Sequence, residues 1–256
     1  MDKLIQTLIS GLSLGSIYAL IALGYTMVYG IAKMLNFAHG DIIMVGAYAV
    51  ITAVFTMGLP PFIAILISIA LCALLGIVIE FLAYRPLRQA QPLAVLITAI
   101  GVSYLLQNLA LLIYGSEQKA FPTIVALPTV HIGGVYIDGI TLATLVVTAV
   151  IMVALSLFIN KTRMGKAMRA VSEDKEAAEL MGISVNRTIT VTFAIGSALA
   201  GVAAIFYGAA YTYIRPTTGA MPGIKAFTAA VFGGIGSIPG AMLGGILLGV
   251  IEQLSK

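Results

Sequence analysis

Charge is what this chain has least of. Only 9% of its 256 residues are Asp, Glu, Lys or Arg, while 60% are hydrophobic, and the mean hydropathy is +1.07. A soluble globular domain carries about 25% charged residues, so that class is excluded and the chain is an integral membrane protein. Cysteine is nearly absent as well. The single Cys72 forbids a disulfide or a cysteine metal cluster within one chain, and no metal site is expected. No stretch satisfies G-x-x-x-x-G-K-[ST], and the glycine-rich residues 233–245 contain no lysine. Any ATP that drives this protein therefore binds another chain. The formal charge of +4 is modest and sits in connectors, which argues topology and not nucleic-acid binding.

What the chain has in abundance is long apolar runs. A spanning helix needs roughly 20 apolar residues, and seven candidates appear, at about 5–30, 42–57, 62–83, 92–115, 140–160, 188–209 and 224–253. This pattern predicts an all-α, polytopic integral membrane helix bundle, with residues 1–256 forming a single transmembrane domain. The uncharged run Leu4 to Ala32 exceeds a signal-peptide core of about 7–15 residues and reads as a retained span. Leu59-Pro60-Pro61 divides the second span from the third. The last candidate is expected to be broken, because Gly233, Gly234, Gly236, Pro239 and Gly240 are too many breakers for one continuous helix. Freed backbone groups at membrane depth survive only inside protein or beside a watery cavity. Small residues every four positions (Gly11, Gly15, Ala19; Gly196, Ala200, Ala204, Gly208; Gly236, Gly240, Gly244) predict close helix packing.

Orientation follows from Lys and Arg. The short loop with Arg85 and Arg88 and the connector 161–187 lie two spans apart, so they share a side, the cytoplasmic one. Loop 116–139 then faces outward, the N-terminus lies outside, and counting forward puts Lys256 inside.

Connector 161–187 is the only long polar one between spans. It holds six basic side chains (Lys161, Arg163, Lys166, Arg169, Lys175, Arg187) and four acidic ones (Glu173, Asp174, Glu176, Glu179). One reading is a solvated loop that only fixes topology; the other is a docking element for a soluble partner. Ser172 is placed as a helix cap with Glu173, Asp174 and Glu176 in the first turn, and Gly182 as the stop. On the resulting helix Ala177, Leu180 and Met181 form an apolar stripe, and Lys175 pairs with Glu179 on the wet side.

Three blocks of this sequence carry a family resemblance. Glu176-Ala177-Ala178 with Gly182 resembles the EAA loop of ABC-importer permeases, although Ala194-Ile195 stands where that loop ends in Leu-Pro. The run Gly165 to Gly182, together with Asn36-Phe37-Ala38-His39-Gly40 and Phe232-Gly233-Gly234-Ile235-Gly236-Ser237-Ile238-Pro239-Gly240, resembles the membrane permease of branched-chain amino-acid ABC importers. The resemblance implies a multi-pass subunit of the bacterial cytoplasmic (inner) membrane that transports leucine, isoleucine or valine. It also implies partners: a second, related permease chain, two ABC ATPase subunits binding ATP and Mg, and an extracytoplasmic substrate-binding protein. No cofactor is expected on this chain. The coupling residues it implies are Glu173, Glu176, Ala177, Ala178, Leu180, Met181 and Gly182. Asn36, His39, Gln107, Asn108, Gly233, Gly234, Gly236 and Gly240 are candidates for the translocation path.

Catalytic readings are weak. Gly11-Leu12-Ser13-Leu14-Gly15 fits G-x-S-x-G but lies in an apolar helix and not at a strand-to-helix turn. His39 and Asp41 are the only close His/carboxylate pair; they read either as a proton relay or as interfacial residues, with Asp41 capping the second span. Glu80 is within reach of Arg85 or of water. Thr98, Gly101, Gln107 and Asn108 put polarity in the fourth span. Two alternatives stay open: an ion-gradient-driven secondary transporter using His39, Asp41 and Glu80, and an intramembrane enzyme using His39 with Asp41 or Ser13.

Overall fold

The computed structural model describes residues 2–124, 128–132 and 135–256. It is almost wholly helical. Six helices are long and apolar enough to cross a membrane among the described residues. They are α1 (Asp2–Ala32), α2 (His39–Ile51, continued by a π turn Thr52–Thr56), α3 (Pro61–Ile79, continued by a π turn Glu80–Tyr84), α4 (Pro92–Tyr114), α5 (Gly139–Lys161) and, after two short helices, α8 (Val185–Tyr211). The short pair is α6 (Arg163–Glu173) and α7 (Lys175–Leu180); two shorter apolar helices close the chain, α9 (Ala220–Phe232) and α10 (Ile238–Leu254). Proline stands in the first turn of α3, α4 and α10, where its missing N–H costs nothing. Gly115, at φ +80, ends α4. Two antiparallel strand pairs lie in the connectors: β1 (Lys119–Ala120) with β4 (Tyr213–Ile214), and β2 (Val130–Ile132) with β3 (Val135–Ile137).

Helices α1, α2 and α8 form the core. Leu20, Ile21, Ala22 and Leu23 are fully buried, so this stretch of α1 is surrounded on every side, while Leu4, Ile5 and Leu8 near its start are exposed. Helices α4 and α5 are peripheral, with Leu93, Ile97, Leu112, Val146 and Val150 more than half exposed. An apolar exposed face on a helix of this length suits contact with lipid.

The predicted small-residue stripes are packing seams. A Cβ added at Gly15 would sit 2.7 Å from the backbone of Ile246, and one at Gly11 would sit 2.8 Å from that of Val250. At the other end of α1, Gly30 faces Gly236. These pairings run in opposite order, so α1 and α10 are antiparallel.

That geometry corrects two expectations. Helices α9 and α10 are not successive halves of one crossing. They fold back on each other, with Gly233 against Gly240, Gly244 against Ala229, and Lys225 Nζ 2.7 Å from Glu252 Oε1. The break itself falls where expected, in a turn at Gly233–Ser237 that holds Gly234 at φ +85 and Gly236 at φ +100. Because α10 returns alongside α1, Lys256 lies at the same end of the bundle as Asp2. Counting one crossing instead of a hairpin had put it at the opposite end.

Helix α2 starts about three quarters of the way along α1. His39 packs on Gly24, eight residues before α1 ends at Ala32, which is about 12 Å back along the helix. Segment 33–38 therefore dips into the bundle. Helix α9 begins at the same depth, with Gly219 and Gly223 against Gly40.

Replacing Gly15 by Leu is expected to cost about 1–3 kcal/mol through overpacking of the α1–α10 seam. Gly101→Ala, where an added Cβ meets nothing within 4 Å, should be neutral or slightly stabilising. Thermal melting of the purified variants in mild detergent checks both.

Candidate functional site

The polar connector folds as two short helices. Thr162 caps α6 by accepting a bond from Gly165 N at 3.0 Å, and Gly165, Met168 and Val171 turn inward along one face. Asp174, at φ −150 and ψ 116, then breaks the helix and starts the next, accepting bonds from Glu176 N (2.9 Å) and Ala177 N (3.0 Å). Gly182, at φ +81, ends it. Ala178 is the one buried residue of α7, while Leu180 and Met181 are 89% and 82% exposed and Glu176, Ala177, Glu179 and Gly182 are exposed around them.

Three local expectations are corrected here. Ser172 does not cap; it lies inside α6 and donates to Arg169 O at 2.7 Å. Glu173 is the last residue of α6 and not part of α7. Lys175 does not pair with Glu179 but donates to Ala32 O at 3.1 Å, placing a cation on the C-terminal carbonyls of α1. Its amine is held below the usual lysine range, chiefly by burial and then by the like charges of Arg88 and Lys33.

Inside the bundle, Asn36, His39 and Asp41 are all essentially buried. The reading of Asp41 as the cap of the second span is overturned. Helix α2 has no side-chain cap; Asp41 reaches sideways instead, accepting bonds from Ser103 and from Gln107 Nε2 (3.0 Å) and so tying α2 to α4. Tyr84 donates to Asn36 Oδ1 at 3.0 Å, holding the dipping segment 33–38. His39 meets the edge of Tyr25, ring centres 4.7 Å apart, and the bare backbone of Gly24 makes room for its imidazole.

The other path candidates lie elsewhere. Asn108 is exposed on α4 and bonds Tyr104 O of its own helix at 2.8 Å. Gly233, Gly234 and Gly236 form the hairpin turn, and Gly240 packs on Gly233 from the first turn of α10; Gly236 lines a cavity of about 290 Å³ shared with Arg169 and Ser172 of α6. The predicted path residues thus occupy three places: the buried heart of the bundle, its outer surface, and the end beside the connector.

Two charged clusters were missed. Glu80 is fully buried and pairs with Arg88, not Arg85; it also accepts a bond from Thr190 at 2.7 Å, while Arg88 reaches Asn186. Arg85 lies over the Phe81 ring. Second, Glu252 accepts from Tyr18 at 2.9 Å and from Lys225 at 2.7 Å, joining α1, α9 and α10. A lone Lys and a lone Glu within the otherwise uncharged run 216–253 were the available signal.

Long apolar helices broken at depth, with a charged amphipathic connector at one end, are the build of a multi-pass membrane permease. Comparison with known proteins narrows the class. The chain belongs to the family described as branched-chain amino acid transport system / permease component, whose sequence profile matches residues 7–256. It is 49% identical to the high-affinity branched-chain amino acid transport system permease protein BraD of Pseudomonas aeruginosa, over 97% of this chain and 85% of that protein. It is 45% identical to the LivH permease protein of the corresponding high-affinity system in Escherichia coli, over 98% of this chain and 86% of that protein. A probable branched-chain amino acid transport permease protein LivH of Methanocaldococcus jannaschii is 29% identical over 93% of this chain and 77% of that one. No solved structure matches.

Glu80→Leu should destabilise the chain by about 3–5 kcal/mol, because it strands Arg88 in a mostly buried site. Adding Arg88→Leu should restore a large part of that loss, and a thermal double-mutant cycle on the purified chain measures it.

Proposed function

We propose that this chain is a membrane-spanning subunit of an ATP-driven importer for the branched-chain amino acids leucine, isoleucine and valine. It sits in the bacterial cytoplasmic membrane, and the ATP and Mg are bound by separate ATPase subunits. It works beside a second homologous permease chain and receives substrate from an extracytoplasmic binding protein. Similarity to BraD and LivH over 97% and 98% of this chain supports the substrate class and the kind of assembly.

The observation that carries the coupling role is α7. Leu180 and Met181 project from the end of a helix whose one buried residue is Ala178, ringed by Glu176 and Glu179. Such an apolar tip with a charged rim suits a groove on a soluble partner. Lys175 joins this helix to the carbonyl end of α1, and the middle of α1 lies in the core of the bundle. A displacement of α7 by ATPase closure therefore reaches the core through a direct bond. Segment 33–38 and the α9–α10 hairpin meet α1 on its other sides, so the same displacement bears on the buried Asn36–His39–Asp41 region.

The test is transport in vesicles carrying the complete assembly. Glu176→Lys combined with Ala177→Trp should lower amino-acid uptake roughly tenfold or more, with membrane insertion intact and ATP hydrolysis no longer stimulated by substrate-loaded binding protein. Normal uptake by this variant would remove α7 from the coupling role.

A further inference from the structure

At the connector end of the bundle, a cavity of about 250 Å³ opens between the end of α1, the turn after α3 and the start of α4. Three cationic side chains, Lys33, Arg88 and Lys175, line it, and no Asp or Glu does. The geometry points to a binding site for the headgroup phosphate of an anionic phospholipid, drawn from the leaflet on the connector's side.

Four observations carry this. Arg88 is neutralised from behind by Glu80, yet its buried Nε–H has no partner among the described residues. Lys175 spends one proton on Ala32 O and is left between Lys33 and Arg88, where burial first and then those like charges lower its affinity for the proton. An anion in the cavity relieves that repulsion. Helix α4 begins at the rim with Pro92 and no side-chain cap, so its positive end faces the same space. The remaining wall is oily, with Leu35, Leu87, Val95 and Leu96, and the neighbouring face of α4 presents exposed Leu93 and Ile97.

A free phosphate uses the cations alone. A phospholipid uses the oily wall and the lipid-facing side of α4 as well, which is why a lipid is the occupant favoured here. Basic pockets between spans on the cytoplasmic side are suited to such headgroups. Lys175 is the site's one residue from α7; Lys33, Arg88 and the oily wall come from the end of α1, the turn after α3 and the start of α4.

Lys33 is the residue to change. It is exposed and lies at φ +59, a conformation that Asn adopts readily, so Lys33→Asn removes the charge and keeps the backbone; Lys33→Glu reverses it. The complete transporter is placed in phosphatidylcholine nanodiscs with or without phosphatidylglycerol, and retained lipid is counted by native mass spectrometry alongside thermal melting. Wild type should retain phosphatidylglycerol and melt higher with it. Lys33→Asn should bind it roughly fivefold more weakly, Lys33→Glu should lose it, and Lys3→Gln at the opposite end should match wild type. Equal retention by wild type and Lys33→Glu overturns the proposal. So does equal stabilisation by inorganic phosphate in phosphatidylcholine discs, which would make a soluble anion the ligand. Lipid retained only after the ATPase subunits are stripped off also overturns it, by assigning the cavity to a partner's carboxylate.

Discussion

An apolar interior offers no water to an unpaired carbonyl or amide, and that single constraint shapes the break after α1. Where α1 ends, the chain turns back into the bundle before α2 begins, exposing main-chain groups at a depth where each orphan costs several kcal/mol. Two side chains and one main-chain amide answer them. Lys175 takes Ala32 O, Tyr84 takes Leu35 O at 3.2 Å, and His39 N closes on Asn36 O at 3.1 Å. Two of these three partners come from remote elements, the π turn after α3 and the connector helix α7. The conformation of 33–38 is therefore written in residues about 50 and 140 positions away.

The same logic explains why glycine, and not leucine, sets the architecture. With lipid as oily as any side chain, helices gain little by hiding apolar surface, and what holds them is close van der Waals fit and polar clasps. The α1–α10 seam supplies the fit through Gly11, Gly15 and Gly30. The clasps are few: Asp41 with Ser103 and Gln107 and Glu80 with Arg88 and Thr190 centre on buried carboxylates, and Glu252 with Tyr18 and Lys225 is partly exposed. Each joins helices distant in sequence.

This division also decides what could be read from the sequence. Hydropathy located the spans to within a few residues, because length and oiliness are local properties. The glycine turn at 233–237 and the stop at Gly182 were legible for the same reason. Pairings were not. Arg85 lies closer to Glu80 along the chain, yet the π turn carries Arg88 to it and sends Arg85 over Phe81. Asp41 looked like a helix cap because Asp so often is one, but with α4 alongside, Ser103 and Gln107 compete for it successfully. The hairpin of α9 and α10 was missed because hydropathy records how much chain is apolar and not which way it runs.

The exposed tip of α7 has a consequence for the life of the subunit. Leu180 and Met181 show oily surface to water only while nothing covers them, and such patches attract chaperones and proteases. A copy made in excess of its partners carries a visible flag for removal, whereas a copy docked as proposed has the flag folded away. The two side chains that would transmit force would thus also keep the subunits in proportion.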